Sequence, residues 1–171
     1  IPVRFRPQQI GLTREGRDGE YRRRWCLVAI TEKFKELIVY VAQQGAGDPR
    51  FGSTKLNKIL FAVDFIAYRD SGRSVTGQMY QKLEFGPAPR HLLPAVKSIE
   101  TSGAVAWASC LYKQKRLVSL READLNCFTA EEIDLVHSVI SDLYDPNAAE
   151  VSRWSHDFIG WKAVGVGQVI A

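Results

Sequence analysis

The chain has 171 residues, 46% of them hydrophobic and 25% charged, the size and composition of one globular domain that can bury its own core. No run of 18 apolar residues occurs, which argues against a membrane span. Arginines break up the opening residues, where a signal peptide would need an apolar stretch. The net charge of +4 resides in residues 1–25, where Arg4, Arg6, Arg14, Arg17, Arg22, Arg23 and Arg24 meet only three acids; the other 146 residues balance 16 basic against 16 acidic. The expected organisation is therefore a basic N-terminal arm, residues 1–29, on a neutral body, residues 30–171. The expected location is the cytoplasm.

Residues 1–29 read as irregular, because Gly11, Gly16 and Gly19 interrupt any period. Thr31 caps a first helix running to residue 44, with Phe34, Leu37, Ile38 and Val41 at helical spacing. A glycine- and proline-rich loop follows. Ser53 or Thr54 then opens a second helix that ends near Gly72. Its apolar stripe is Leu56, Ile59, Leu60 and Val63; Lys55, Lys58, Ala62 and Arg69 line up as its wet face. Residues 73–86 read as extended or turning, and Gly86-Pro87-Ala88-Pro89 as a rigid turn feeding a third helix that ends at Gly103. Pro94 inside that span implies a late start or a kink. Residues 104–112 and 116–120 alternate as a β-hairpin around Lys113–Lys115. Thr129 with Glu132 forms a capping box for a fourth helix, and Asn147 with Glu150 opens a last one carrying Val151, Trp154, Ser155 and Phe158 on one face. The fold class is mostly helical α+β: about five helices with one hairpin after the third, an order that also suits a winged-helix-like arrangement.

Several tempting motifs fail on chemistry. Gly47-x-x-x-x-Gly52 is followed by Ser53 where a phosphate-binding loop needs lysine, and a helix rather than a strand precedes it. His91, His137 and His156 lack metal-ligand spacing, and Cys26, Cys110 and Cys127 lack a C-x-x-C pair, so no metal or cofactor is expected and the cysteines read as buried and reduced. Ser155-His156-Asp157 are consecutive helical residues that point 100° apart, so they cannot form a nucleophilic triad. No catalytic residue is expected, and an enzyme is not. The informative feature is the pair Asn57 and Asp64, seven residues apart and so on one helix face, among Leu60, Phe61 and Tyr68. A carboxylate aimed at an apolar side must be paired, hydrogen-bonded or protonated. Tyr80, Arg90 and His156 are its candidate partners, and a structural bridge tying the helix to the Gly86–Arg90 turn is the leading reading over a ligand or catalytic site and over a polar floor beneath a partner-binding surface.

The run Thr54-Lys55-Leu56-Asn57-Lys58-Ile59-Leu60-Phe61 through Asp64 continues with Tyr80-Gln81, Phe85-Gly86-Pro87-Ala88-Pro89-Arg90, Trp154-Ser155-His156 and Trp161-Lys162. In this order and spacing the set resembles the Panacea domain, the SocA-like antitoxin family that includes phage-associated GepA-like proteins. The resemblance covers about residues 30–171. It implies an antitoxin that neutralises a cognate toxin protein by direct contact, with a cellular protease as a further partner where the toxin is delivered for degradation. It places the shared residues at Lys55, Asn57, Asp64, Tyr80, Gly86, Pro87, Arg90, His156 and Trp161, in structural or partner-binding roles. Phe85 departs from the family's usual tyrosine, and the arginine arm lies outside the shared part. The alternative is a winged-helix-like DNA-binding regulator using Arg22, Arg23 and Arg24 of the arm with Lys113, Lys115 and Arg116 at the hairpin tip. Nucleic acid is the weaker partner class, because the body itself carries no net charge.

Overall fold

The computed structural model describes residues 30–109 and 115–170. Helix α1 (Glu32–Gln44) starts where the Thr31 hydroxyl accepts the Phe34 N–H at 3.1 Å, one of the orphan donors a helix start leaves. Nearly every residue from Phe34 to Ala42 is buried, so α1 runs through the core. Helix α2 (Ser53–Ser71) ends on Gly72, whose φ of +73° lets its N–H turn back to the Tyr68 carbonyl at 2.8 Å.

The expected wet face of α2 is not wet. Lys55 and Lys58 are each 1% exposed and Ala62 is 3% exposed; only Arg69 at the C-terminal end reaches water. From Lys55 to Asp64 the helix is almost wholly covered, because the segments Gly86–Pro89, Ala130–Asp142 and Ala148–His156 pack against it. A lysine in that setting buries its aliphatic stem and must find an internal acceptor for the ammonium.

Strand β1 (Tyr80–Leu83) pairs antiparallel with β2 (Gly86–Pro89), Tyr80 opposite Pro89, and on its other side with the two-residue β5 (Val169–Ile170). The segment read as a rigid turn is thus an edge strand. Two prolines are tolerated there because an edge leaves alternate N–H positions without a ladder partner. Pro87 sits at such a position, and its carbonyl accepts from the buried Lys58 of α2.

Helix α3 (Leu92–Thr101) carries Pro94 as its third residue, where no intrahelical N–H bond is required. The first helical bond falls on Ala95, which donates to the His91 carbonyl at 3.0 Å, so neither a late start nor a kink arises. The hairpin follows as expected: β3 (Val105–Ser109) and β4 (Lys115–Ser119), with Trp107 opposite Leu117. Both expected capping boxes are present, on α4 (Ala130–Asp142) and α5 (Ala148–His156). The last helix breaks at Asp157 and resumes as the single turn α6 (Ile159–Lys162). Cys127, expected to be buried, is exposed on the 3-10 turn Leu125–Cys127; Cys26 and Cys110 lie outside the described residues.

Among the described residues the architecture is α+β: six α-helices with two small antiparallel sheets. One core gathers α1, α2, α3, α4 and the β3–β4 hairpin. A smaller aromatic cluster of Phe61, Tyr80 and Ile170, packed by Phe65, Trp154, Phe158 and Trp161, joins α2 to the first sheet and the C-terminal segment. No described helix is long and apolar enough to cross a membrane.

Candidate functional site

Two buried polar nodes on α2 tie it to the first sheet. The first is Asp64, 1% exposed. Its Oδ1 accepts the Thr76 backbone N–H at 2.8 Å; its Oδ2 accepts the Thr76 hydroxyl at 2.5 Å and the Tyr80 hydroxyl at 2.7 Å. Tyr80 also lies 2.8 Å from the Leu60 carbonyl. Burial pushes the Asp64 carboxyl up, against the pull of the hydrogen bonds from Thr76 and Tyr80. Burial and the neighbouring carboxylate together push the Tyr80 phenol well above its ordinary range. A buried bridge therefore exists and the expected partner Tyr80 takes part in it, but it ties α2 to Thr76 and the start of β1 rather than to the Gly86–Arg90 turn. Arg90 and His156 do not take part. Thr76 was not anticipated, because its link to Asp64 depends on the fold of the intervening loop and no periodicity marks it.

The second node is Lys58. Its ammonium reaches the Pro87 carbonyl at 3.3 Å, and no carboxylate pairs with it among the described residues. Desolvation lowers its pKa to about 8. Gly86 makes this approach geometrically feasible. Its φ is +107°, and a Cβ there would overlap Lys58 Nζ and sit 2.6 Å from Ser155 Oγ. Ser155, itself 1% exposed, donates to the Ser152 carbonyl at 2.8 Å, and Ser152 Oγ donates to the Phe85 carbonyl at 3.3 Å. The β1–β2 turn is thereby fastened to α5.

His156 and Trp161 stack beside this node, ring centroids 4.1 Å apart and 8° from parallel. Lys82 Nζ lies 4.0 Å above the Trp161 ring and donates to the Val164 carbonyl at 2.8 Å. His156 Nε2 and Trp161 Nε1 are both buried and find no hydrogen-bond partner among the described residues. Burial, then Lys58 and Lys82, push the imidazole below its ordinary range; the Phe85 backbone bond and Asp157 oppose this.

The remaining expected residues scatter. Lys55 pairs with Asp48 at 2.5 Å and donates to the Tyr144 carbonyl at 2.7 Å, which locks the loop before α2 to the α4–α5 connection. Asn57 Nδ2 donates to the Ser53 carbonyl at 2.8 Å, so it does not share a network with Asp64. Arg90 is exposed and its side chain makes no ion pair or hydrogen bond among the described residues. Of the expected nucleic-acid contacts, Arg116 is spent on the Gly45 and Ala46 carbonyls, Lys115 is exposed, and Arg22, Arg23, Arg24 and Lys113 lie outside the described residues.

Chemically, this arrangement braces the fold. Asp64, Lys58 and Ser155 are each 1% exposed, and Asp157 is turned to Lys162 at 3.0 Å. A cleft of about 390 Å³ lined by Arg50, Ser53, Thr54, Lys55 and Lys115 opens at the start of α2, but Lys58 and Asp64 do not line it. No cluster of His, Cys, Asp and Glu among the described residues could hold a metal ion. On the surface, Leu83 and Phe85 of the first hairpin, Leu93 of α3, and Ile159 and Val166 of the C-terminal segment are exposed apolar groups.

Neither a curated protein nor a solved structure matches the chain. The profile of one family does match, over residues 56–162. That span begins two residues before Lys58 and ends just after Trp161, so it contains both buried nodes and the stack that closes them. The chain accordingly belongs to the family described as antitoxin SocA-like, Panacea domain.

Proposed function

We propose that this protein is an antitoxin that neutralises a cognate toxin by direct protein–protein contact, by binding and not by catalysis. The observation that carries the reading is the family match over residues 56–162. The geometry supports it. Eight of the nine expected motif residues serve the interior or its edge, which leaves them for holding the fold. Arg90, the ninth, is free at the surface beside exposed Leu93 on α3. Arginine is a frequent binding anchor, and a small number of anchors carries most interface energy. The partner surface would therefore include Arg90 and Leu93.

The test is co-expression with the product of the adjacent gene in cells that this product arrests. Wild type restores growth and copurifies with the product. Arg90→Glu loses both while its melting temperature stays within a few degrees of wild type. An adjacent product that neither arrests cells nor binds this protein would refute the reading.

A further inference from the structure

The C-terminal segment after α5 is held by few bonds. Strand β5 contributes two ladder pairs, Tyr80 with Ile170 and Gln81 with Val169. The rest converges on Lys82. Its N–H donates to the Gln168 carbonyl at 2.9 Å, its carbonyl accepts the Gly167 N–H at 2.7 Å, and its ammonium holds the Val164 carbonyl. Helix α6 is one turn long. What anchors it inward is Trp161 on the face of His156, with Phe158 against Phe61 and Phe65, centroids 5.2 and 5.0 Å apart.

His156 sits in an unusual charge setting. Lys58 faces it from α2 and Lys82 from β1. The Phe85 backbone meets it from the turn, and Asp157 is the one acid acting on it. Asp157 is itself shared with Lys162 of α6. Neutral imidazole fits: it makes the Phe85 bond, and the buried Nε2 needs no acceptor if it carries no proton. Protonation would place a new N–H⁺ on that buried nitrogen, with no acceptor among the described residues and two ammonium groups as neighbours. The least costly escape is to lift Trp161 away and let Nε2 reach water.

We propose that the His156–Trp161 stack is an acid-sensitive latch, and that protonating His156 releases residues 158–170 from the first sheet while the main core stays closed. Release would uncover the aromatic surface of Phe61, Phe65 and Tyr80 and the free edge of β1. The proposal does not depend on toxin binding. The sign follows from the neutral closed state: the open form takes up a proton near the ordinary histidine value of about 6.5, so opening grows as pH falls below it, by at most about tenfold per pH unit for one proton.

Hydrogen exchange of the full chain, read peptide by peptide from pH 7.5 to 5 and corrected for intrinsic rates, tests this. Wild type should lose protection in peptides covering 158–170 and 80–83 as pH falls, with α1 and α4 peptides unchanged. His156→Phe keeps a stacking ring without a proton and should abolish the dependence. Lys58→Met keeps the imidazole, removes one neighbouring cation and should make the dependence shallower. A C-terminal segment equally protected at pH 7.5 and 5, an undiminished dependence in His156→Phe, or all peptides opening together would overturn the proposal.

Discussion

Replacing Lys58 with methionine should stabilise this protein. The side chain is 1% exposed, lacks a counter-ion among the described residues, and has one long hydrogen bond, 3.3 Å to Pro87. Such a cation costs free energy unless it is paired. The cost can be sized from its titration. Burial lowers the pKa to about 8 from 10.5, which corresponds to roughly 3 kcal/mol of penalty on the charged form at 1.36 kcal/mol per unit. Methionine has similar length, fills the same channel, and forfeits only the Pro87 bond, worth about 1 kcal/mol. The net expectation at pH 7 is a gain of about 1–2 kcal/mol in urea unfolding. The pH dependence carries the sharper signature. Below pH 8 both folded and unfolded chains hold the proton, and the penalty is present in full. Between about 8 and 10.5 the folded chain has released it and the unfolded chain has not, so wild-type stability should rise through that window relative to Lys58→Met. If Lys58→Met is less stable than wild type at pH 7, and the two respond identically from pH 7 to 10, the ammonium is not a buried unpaired charge and the reasoning is wrong.

Asp64→Ala strands the Thr76 N–H and hydroxyl and leaves the Tyr80 hydroxyl with the Leu60 carbonyl alone, so it should cost about 2–3 kcal/mol in a chemical melt; Asp64→Asn keeps one acceptor oxygen but sets an NH2 donor where the other stood, so it should recover only part of that loss. Because burial raises the Asp64 pKa, the folded chain holds this proton more tightly, so the group's contribution to stability falls as pH rises above its unfolded value. Gly86→Ala meets both a left-handed φ and the Lys58 ammonium, and should lower stability by about 2 kcal/mol or more; adding Lys58→Ala should recover part of that loss, whereas simple additivity of the two would refute the steric account. Leu93→Asp should weaken toxin capture along with Arg90→Glu and leave thermal melts unmoved, since Leu93 is 76% exposed.

Much of the skeleton was legible in the sequence because its signals are local. Thr31, Thr129 with Glu132, and Asn147 with Glu150 each announce a helix start within four residues, and each cap forms as read. The alternation in 104–112 and 116–120 likewise marks a hairpin whose pairing the structure realises, with Lys115, read as turn, as the first residue of β4. What escaped was non-local. Lys55 and Lys58 read as a solvent face because lysine is rarely buried, and only the approach of Asp48, Pro87 and Ser155 from distant segments reverses that. Gly86-Pro87-Ala88-Pro89 carries turn residues, yet its edge position in a three-stranded sheet makes it a strand. Asp64 stood out correctly as a misplaced carboxylate, but of its two donors only Tyr80 was nameable; Thr76 depends on a loop path that no period encodes.

The same distinction bears on what the family motif can report. Asp64 needs Thr76 and Tyr80, Lys58 needs a residue without Cβ at Gly86, and His156 needs the flat face of Trp161. Each of these residues is constrained by another one inside the domain, at a cost of kilocalories when broken. Among the described residues no such internal constraint acts on the side chains of Arg90, Leu93 and Phe85, which face solvent. A substitution there leaves the buried network intact. Interior residues can thus identify the fold while the exterior ones are free to match a particular partner surface. If that division holds, exchanging Arg90 and Leu93 changes which toxin is bound without changing the melting temperature, whereas exchanging any interior member of the network changes stability first and binding only as its consequence.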